Sequence, residues 1–308
     1  MSDRQAREKR ALIYALMAVG MWSTVATAFK IALQHLQPAQ LLLWASVFSI
    51  AVLMMVVSWQ GKWGHVKQLS RKEWSASLLY GALNPALYYL VLFGAYDLLP
   101  AQEAQALNYS WALTLAFLSV PFLGQKLRPQ DLIAGFICYG GVLVIATRGN
   151  VLGLEFSHLL GVSLALISTF IWAGYWILNT RDQREPIVGL MLNFIMALPI
   201  LLIVNAYLEL LVMPSWQGIA AAAYVGIFEM GLAFVCWLQA MRLTTQTAKI
   251  SNLIFLSPFI SLILIFSFLG ETIYPSTLIG LGFIIAGLFI QQHKSAAQKA
   301  ALKATVQD

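Results

Sequence analysis

Apolar runs of about 20 residues recur from one end of this 308-residue chain to the other. A helix needs about 20 apolar residues to cross the hydrocarbon core of a bilayer. The chain is 60% hydrophobic and only 10% charged, whereas soluble domains carry about 25% charged residues. The sequence therefore predicts an all-α, multi-pass membrane protein with little chain left over for a soluble domain.

Ten of these runs are predicted to be membrane spans, separated by polar connections. The spans are 11–34, 38–59, 75–97, 101–123, 129–147, 157–180, 186–206, 216–241, 246–268 and 275–292. Pro38 and Pro100 mark the starts of spans 2 and 4, because proline fits the first turn of a helix better than its interior. The first run is too long for the apolar core of a signal peptide, so we interpret it as span 1.

Lys and Arg are distributed unevenly between the two ends of the predicted spans. Sixteen of them fall on the tails and loops of one side, whereas Arg148 alone falls on the other. Lys30 and Lys249 lie within spans near their ends, where a long side chain can snorkel towards the membrane surface. Cytoplasmic loops collect Lys and Arg, so both termini are predicted to be cytoplasmic. The same rule explains the net charge of +6 without a nucleic-acid partner.

The positions of the cysteines and histidines argue against a disulfide framework and against a metal site. Cys138 and Cys236 both lie inside predicted spans, without the spacing of a zinc site. The four histidines all fall in loops or tails: His35, His65, His158 and His293. Nothing resembles a phosphate-binding P-loop. We therefore predict no metal, no cofactor and no ATP-driven step.

The two halves of the chain repeat one another at an offset of 146 residues. At this offset the aligned pairs are Gly124 with Gly270, Pro129 with Pro275, and Gly141 with Gly287. Five spans are an odd number, so the second copy must enter the membrane from the opposite side. Inverted repeats of this kind are typical of alternating-access transporters. The sequence predicts one five-helix repeat over 1–150 and a second, inverted one over 151–308.

Span 8 carries one carboxylate, Glu229, near its middle. A charged side chain at the bilayer centre costs roughly 2.5–3.5 kcal/mol and normally faces a cavity or a partner. Glu229 is therefore a candidate to bind the ammonium of a substrate or to exchange a coupling proton. The alternative is a structural carboxylate bonded to a neighbouring helix. Asn84 takes a similar place in span 3, where its amide can bond a substrate but cannot carry a proton.

A set of aromatic side chains lies too deep for the interfacial belt where Trp and Tyr usually collect. Its members are Trp22, Tyr88, Tyr89, Tyr109, Trp111, Trp172 and Tyr175. Rings with one polar atom suit an aromatic or amphipathic ligand, through stacking or cation–π attraction. Helix packing is the alternative for each ring, and a cavity lining is favoured for the set.

Mid-span polar groups and small residues complete the candidates. The mid-span polar groups are candidates to contact substrate, with interhelical hydrogen bonding as the alternative: Ser23, Thr24, Asn108, Asn193, Asn252 and Ser257. Pro258 breaks a helical hydrogen bond beside Asn252 and Ser257 and can free a carbonyl for a ligand. The glycines of spans 5 and 10 let backbones approach closely. They favour scaffold packing, or a weak homodimer through these two spans, over ligand contact.

Several short motifs together resemble a known family. They are Trp22-Ser-Thr in span 1, Trp172-Ala in span 6 and Leu-Gly-Glu271 after span 9. With the five-plus-five organisation, these motifs resemble the EamA branch of the drug/metabolite transporter superfamily over nearly the whole chain. A narrower set is similar to its aromatic amino acid exporter subgroup: Asn108-Tyr109-Ser110-Trp111, Gly124-Gln125-Lys126 and Phe170-Ile171-Trp172-Ala173-Gly174-Tyr175.

This sequence departs from the subgroup at three positions. Ala112 stands where a proline is usual, Tyr89 where a cavity histidine can be found, and Gln125 where many relatives have the glutamate matched by Glu271. The resemblance implies a basket of helices, with spans 1, 3, 4, 6, 8 and 9 around a central cavity. Spans 2 and 7 would flank it, and spans 5 and 10 would support it. The implied activity is outward movement of amino acids or related metabolites across a bacterial inner membrane.

Three functions are weighed on these observations. A secondary exporter of small metabolites, above all aromatic amino acids, fits the predicted repeat and cavity; a drug or other metabolite exporter of the same fold is the alternative. A membrane-embedded enzyme would need His, Asp or Ser clustered at one depth, which the sequence does not show. A channel would use rings of like polar groups through oligomer symmetry, whereas an internal inverted repeat favours a transporter. Proton exchange and downhill movement both stay open as the driving force.

Overall fold

Helices form all the regular structure in the part of the chain that the computed structural model describes. That part comprises residues 3–124, 129–153, 156–179, 181–244, 250 and 252–292. The α-helices are α1 (Asp3–Ser23), α2 (Val25–Leu33), α3 (Pro38–Trp59), α4 (Trp63–Lys67), α5 (Arg71–Gly81), α6 (Tyr88–Leu98), α7 (Ala101–Asn108), α8 (Trp111–Leu123), α9 (Pro129–Ala146), α10 (Leu159–Asn179), α11 (Pro186–Tyr207), α12 (Trp216–Tyr224), α13 (Ala233–Leu243), α14 (Ser257–Leu264) and α15 (Pro275–Gln292).

Three π-helical segments and one 3₁₀ turn join some of these helices. The first π segment is Ala82–Leu87, the second is Val225–Leu232 and the third is Ile265–Leu269. The 3₁₀ turn, Asn252–Leu256, leads into α14. Single π turns inside α-helices occur frequently at functional sites, and the first two segments lie in the middle of predicted spans 3 and 8.

Eight stretches of helix in the described ranges are long and apolar enough to cross a membrane, and they coincide with predicted spans 1–8. Two shorter apolar helices, Leu253–Leu269 and Pro275–Ile290, lie at the positions of predicted spans 9 and 10. The all-α membrane fold is thus confirmed. The largest difference in a boundary is at the N-terminus, where α1 begins at Asp3 rather than at residue 11.

Prolines begin four of the helices. Pro38, Pro129, Pro186 and Pro275 each stand at the first residue of a helix. At this position the missing N–H is one that would have no partner within the helix, and the fixed φ already suits the helix. Two of these helices, α9 and α15, correspond at the offset of 146 residues.

Glycines bring α9 and α15 into backbone contact. A Cβ added at Gly141 would meet the carbonyl oxygen of Gly280, and one added at Gly287 would lie 2.8 Å from the carbonyl oxygen of Ala134. The offset of 146 residues exchanges these two contacts. The small faces of predicted spans 5 and 10 therefore pack against each other within one chain.

Two further glycines press the first two π segments against helices from the other half of the chain. A Cβ on Gly81, at the end of α5, would collide with the backbone oxygen of Asn193 in α11. A Cβ on Gly226, in the second π segment, would collide with the backbone oxygen of Ala45 in α3. Only glycine permits so close an approach, so these contacts set the position of both segments.

One end of the bundle, here called the Glu103 end, is tied together by charged and polar groups. Glu103 is completely buried; it accepts a hydrogen bond from Arg148 Nε at 2.7 Å and one from the Ser157 hydroxyl at 2.6 Å. Glu271 accepts bonds from the backbone N–H groups of Ala101 and Gln102 at the start of α7. A carboxylate at a helix N-terminus satisfies free N–H groups and is favoured by the helix dipole.

Gln102 extends this closure from the first half of the chain to the second. Its side-chain amide donates to the carbonyl oxygen of Thr272 at 2.8 Å. Its side-chain oxygen accepts from the Tyr274 N–H and the Thr277 hydroxyl, each at 2.9 Å. Sequence analysis places this residue at the start of span 4 and misses the contact, because its partners lie about 170 residues further along the chain.

Lys30 also closes the Glu103 end, by a contact that differs from the predicted snorkelling. Its ammonium donates to the carbonyl oxygens of Tyr96 at 2.8 Å and Leu99 at 3.0 Å. These carbonyls belong to the last turn of α6 and the residue after it, where carbonyl oxygens have no partner within the helix. Lys30 therefore joins the end of α2 to the end of α6 rather than reaching for the membrane surface.

The opposite end, here called the Glu185 end, carries a second group of ion pairs. Glu185 contacts Lys62 Nζ at 2.8 Å and Arg242 at 3.1 Å, and it caps α11 by accepting from the Val188 N–H. Burial by itself would raise the pKa of the Glu185 carboxyl. The hydrogen bonds from Lys62 and Val188, with the nearby charge of Arg242, outweigh burial and lower this pKa from its ordinary value.

Candidate functional site

A central cavity of about 260 Å³ lies among the helices. Its wall is formed mainly by aromatic side chains, with few polar atoms. Seven of the twelve predicted site residues line it: Trp22, Tyr88, Tyr89, Tyr109, Trp111, Trp172 and Glu229. They come from predicted spans 1, 3, 4, 6 and 8, which are spans expected to surround a cavity.

Trp172 is the centre of the aromatic wall. Its ring stacks on Tyr88, with centroids 4.5 Å apart and planes inclined by 29°. It also stacks on Tyr175 at 5.7 Å and 28°, and Trp111 meets it edge-on at 6.3 Å. Stacked and edge-to-face pairs are both favourable arrangements of aromatic rings. The packing therefore holds Trp172 in one orientation beside the cavity.

A second group of rings closes the wall around α1. Trp22 lies 5.6 Å from Phe234 in an edge-to-face pair and 5.4 Å from Trp237. All three residues line the cavity. The wall consequently offers indole and phenyl surfaces from α1, α10 and α13, which suit a flat apolar ligand.

Glu229 is the acid of this cavity. It is buried, with 7% of its surface exposed, and lies in the second π segment. Its Oε1 accepts a hydrogen bond from the Tyr89 hydroxyl at 2.8 Å, whereas its Oε2 is buried without a hydrogen-bond partner among the described residues. Buried polar atoms are normally paired. An unpaired carboxylate oxygen in a cavity wall is therefore a candidate contact for a ligand.

Five predicted site residues do not line the central cavity. Asn84 is buried in the first π segment with non-helical backbone angles, φ −142° and ψ 114°. The Ser23 hydroxyl donates to the Val19 carbonyl oxygen of its own helix at 2.7 Å. Tyr175 lies behind Trp172, Ser257 is buried at the start of α14, and the side chain of Asn252 lies outside the described part of the chain.

Residues that sequence analysis did not place in the site also line the cavity. The most informative are Gln105, Trp176, Phe234 and Trp237, and the polar candidate Asn108 lines the cavity with them. The amide of Asn108, at the last residue of α7, donates to the Ser168 hydroxyl at 2.9 Å. Trp176 follows Trp172 by one helical turn, so the i, i+4 spacing of two tryptophans was the available signal. For Phe234 and Trp237, nothing in the sequence distinguishes them from lipid-facing rings.

A smaller cavity of about 120 Å³ lies towards the Glu185 end. It shares Trp176 and Phe234 with the central cavity, so these two side chains separate the two spaces. Arg184 lines it, but the guanidinium is already bound by Asp182 at 2.6 Å and Asn193 at 3.1 Å, and also by the Ser77 hydroxyl. The positive charge there is neutralised within the protein.

No cluster of three or more His, Cys, Asp or Glu side chains suited to a metal ion occurs within the described ranges. The polar atoms that the cavity does offer are one carboxylate, amides and ring N–H or O–H groups. Such groups bind and orient an organic ligand by charge and hydrogen bonding, while the aromatic walls exclude water.

Within the described ranges, apolar helices surround a ring-lined cavity with one acid, Glu229, in its wall, an arrangement suited to binding a small organic molecule within a membrane. The pattern of the EamA-like transporter family matches residues 9–147 and, separately, residues 159–291. The chain belongs to the EamA-like transporter family, and the predicted resemblance is confirmed.

Individual relatives agree with this assignment. The uncharacterized transporter YvbV of Bacillus subtilis is 26% identical over 96% of this chain and 95% of its own length. The aromatic amino acid exporter YddG of Ancylobacter novellus is 25% identical over 75% of this chain and 79% of its own. The inner membrane protein YtfF of Escherichia coli is 24% identical over 62% and 63%, respectively. A solved crystal structure with a TM-score of 0.65 and 20% identity covers 92% of this chain and 96% of that one, and shares the fold.

Proposed function

We propose that this protein is a secondary transporter of a bacterial inner membrane that exports small metabolites, above all aromatic amino acids, by alternating access. One observation carries the proposal: Glu229, whose Oε2 is buried without a hydrogen-bond partner among the described residues, lines a cavity built mainly from aromatic rings. The relative YddG is named an aromatic amino acid exporter, which supports this substrate class. The relative YtfF is named an inner membrane protein, which supports the proposed location in the inner membrane.

The proposed topology has ten spans in two inverted repeats, residues 1–150 and 151–308, with both termini in the cytoplasm. Two observations support it. The family pattern matches twice, once in each half, and the contacts of Gly141 and Gly287 are exchanged by the offset of 146 residues. In this topology the Glu103 end faces outward and the Glu185 end faces the cytoplasm. In such a topology one half of the helices can rock against the other, which converts an inward-open state into an outward-open one.

The contacts at the two ends give the proposed cycle its gates. At the Glu103 end, Gln102 and Glu271 bind the first half of the chain to the second. At the other end, Trp176 and Phe234 line both the central cavity and the smaller one and lie between them. A substrate would enter past these two rings, and outward release would require the contacts of Gln102 and Glu271 to break.

The roles of the cavity residues follow from their chemistry. The carboxylate of Glu229 would bind the ammonium of the substrate or exchange a coupling proton, and Tyr89 would hold the carboxylate in place. The rings of Trp22, Trp111 and Trp172 would select flat apolar side chains. We propose no chemical conversion of the substrate. A monomer is the favoured assembly, because the small faces of α9 and α15 are used within one chain.

Counterflow in proteoliposomes tests this function. Vesicles loaded with unlabelled phenylalanine or tryptophan should accumulate the labelled amino acid transiently and saturably, whereas leucine should exchange more weakly. The Glu229→Gln variant should lose exchange, and Glu209→Gln, which changes an exposed loop acid, should keep it. Flux that neither saturates nor shows counterflow would indicate a channel, and exchange of aliphatic but not aromatic amino acids would refute the substrate class.

A further inference from the structure

The central cavity has a marked imbalance of charge. Among its lining residues that the structure describes, Glu229 is the one carboxylate, and none is Lys, Arg or His. An amino acid carries two opposite charges, an ammonium and a carboxylate. The described wall offers a charged partner to the first of these and none to the second.

The ammonium of a ligand has two kinds of partner in this wall. The unpaired Oε2 of Glu229 can accept a charge-assisted hydrogen bond, which is about twice as strong as one between neutral groups. The faces of tryptophan and tyrosine rings also attract a cation, and more strongly when water is excluded. Trp22, Tyr88 and Trp172 line the same cavity.

The carboxylate of a ligand is less well served. Arg184 lines the neighbouring smaller cavity, but Asp182, Asn193 and Ser77 already occupy its guanidinium. Neutral donors remain, such as Trp176 Nε1, which is buried without a partner. A neutral donor compensates only part of the cost of taking a carboxylate out of water. The Glu229 carboxylate adds repulsion in the same small space.

We infer that this transporter prefers aromatic amines that lack a carboxylate, so that an aromatic monoamine binds more tightly than the amino acid with the same ring. The inference rests on the proposed function as a transporter, and it replaces aromatic amino acids with aromatic amines as the preferred substrates. Glu229 is the residue that determines this preference, and the aromatic wall accepts the ring of either compound.

Four ligands with one indole ring but different charges test the inference: tryptamine, tryptophan, indole and indole-3-propionate. Each competes with labelled tryptamine for counterflow in proteoliposomes, and binding to the purified protein is measured by calorimetry. Tryptamine should bind at least about tenfold more tightly than tryptophan, which corresponds to 1.4 kcal/mol. Indole-3-propionate should be the weakest of the four.

The Glu229→Gln variant shows whether the acid sets this order. It should bind tryptamine no more tightly than indole, because both then meet a neutral wall. The matched control is Glu209→Gln, which should keep the order of the parent protein. Should the variant still prefer tryptamine by the original factor, the acid would not be the selecting group.

The outcomes separate this inference from the proposed function. Tryptophan bound or exchanged as well as tryptamine would overturn the inference and leave an aromatic amino acid exporter. Exchange of none of the four indole compounds, in protein that still reconstitutes as a folded monomer, would overturn both. The expected order in the parent protein, lost in Glu229→Gln, would support the inference and the proposed transport through this cavity, with aromatic amines rather than amino acids as the preferred substrates.

Discussion

The first two π segments, Ala82–Leu87 and Val225–Leu232, are positioned by similar glycine contacts but carry different polar side chains. Each is positioned by a glycine against the backbone of a helix from the other half: Gly81 against α11, and Gly226 against α3. Each carries a polar side chain three residues after its glycine, Asn84 in the first and Glu229 in the second. The two glycines, like the two polar residues, are 145 residues apart, close to the offset of the repeat.

The difference lies in where the polar side chains go. Glu229 lines the central cavity and is held by Tyr89 of the other half, whereas Asn84 is buried with non-helical backbone angles and does not line it. Two segments with matching glycine contacts thus carry one acid between them. The comparison teaches that similar glycine packing positions both segments, while the side chain of one of them supplies the charge. Four sets of variants test this comparison, and they are given from the largest expected effect to the smallest.

The largest effect is expected when the acid is moved from one segment to the other. The double variant Asn84→Glu with Glu229→Asn keeps one acid in the chain. We expect loss of substrate exchange by at least about tenfold, because a hydrogen bond to a charged group contributes ~1.5–3 kcal/mol and Asn84 does not line the cavity. Counterflow measures it, with Glu229→Gln alone as the reference. Exchange at the parent rate would show that the two segments are functionally equivalent.

The glycines come next. Gly81→Ala and Gly226→Ala should each lower the stability of the protein by about 1–3 kcal/mol, because the new methyl group must displace a neighbouring backbone. Thermal unfolding in detergent measures this effect. Gly174→Ala is the matched control, since a Cβ there meets nothing within 4 Å, and alanine in a helix is favoured over glycine. Equal unfolding temperatures for all three variants would refute the close approach of the π segments.

A smaller effect is expected at the hydrogen bond that orients the acid. Tyr89→Phe removes the hydroxyl that donates to Glu229 Oε1 at 2.8 Å and leaves the ring in place. We expect ligand binding to weaken by about fivefold, in line with a net ~1 kcal/mol for one hydrogen bond. Calorimetry with the best ligand of the wild-type protein measures it. Tyr88→Phe is the comparison, because its hydroxyl makes no bond to Glu229; identical losses would show that the bond itself does not matter.

The smallest effect is expected at the Glu185 end, where Lys62 of the first half binds Glu185 of the second. The folded protein lowers the pKa of Glu185 from its ordinary 4.5. The ionised carboxylate therefore contributes stability above pH 4.5 that is lost as the pH falls through the lowered pKa. Glu185→Gln should reduce stability near neutral pH by less than about 1 kcal/mol, as for other partly exposed pairs. The difference from the parent protein should vanish in acid; a constant difference from pH 3 to 7 would show that charge is not its cause.

Much of the fold was predictable because it depends on local properties of the chain. Apolar length places the first eight spans to within a few residues, except at the start of span 1, and the prolines at 38, 129, 186 and 275 mark helix starts by their missing N–H. The motifs around Trp22, Trp172 and Glu271 were sufficient to indicate the family. The inverted repeat, the cytoplasmic location of both termini and the number of ten membrane spans stay predictions.

The site was predictable only in part. The cavity gathers seven of the twelve predicted residues, because deep aromatic rings and a mid-span acid are unusual in lipid. It does not gather Ser23 or Asn84, since a polar side chain in a span is equally able to bond its own helix or lie against a neighbour. The role of every one of these residues in binding a substrate stays a prediction.

The sequence by itself determined the helices, their length and the family, because burial in a bilayer is decided by runs of neighbouring side chains. Only the tertiary structure decided which rings share one cavity, that Tyr89 binds Glu229, and that Gln102 and Glu271 close the Glu103 end. These contacts join residues 140–170 positions apart. Their partners are chosen by the way the helices pack, which no local pattern of residues encodes.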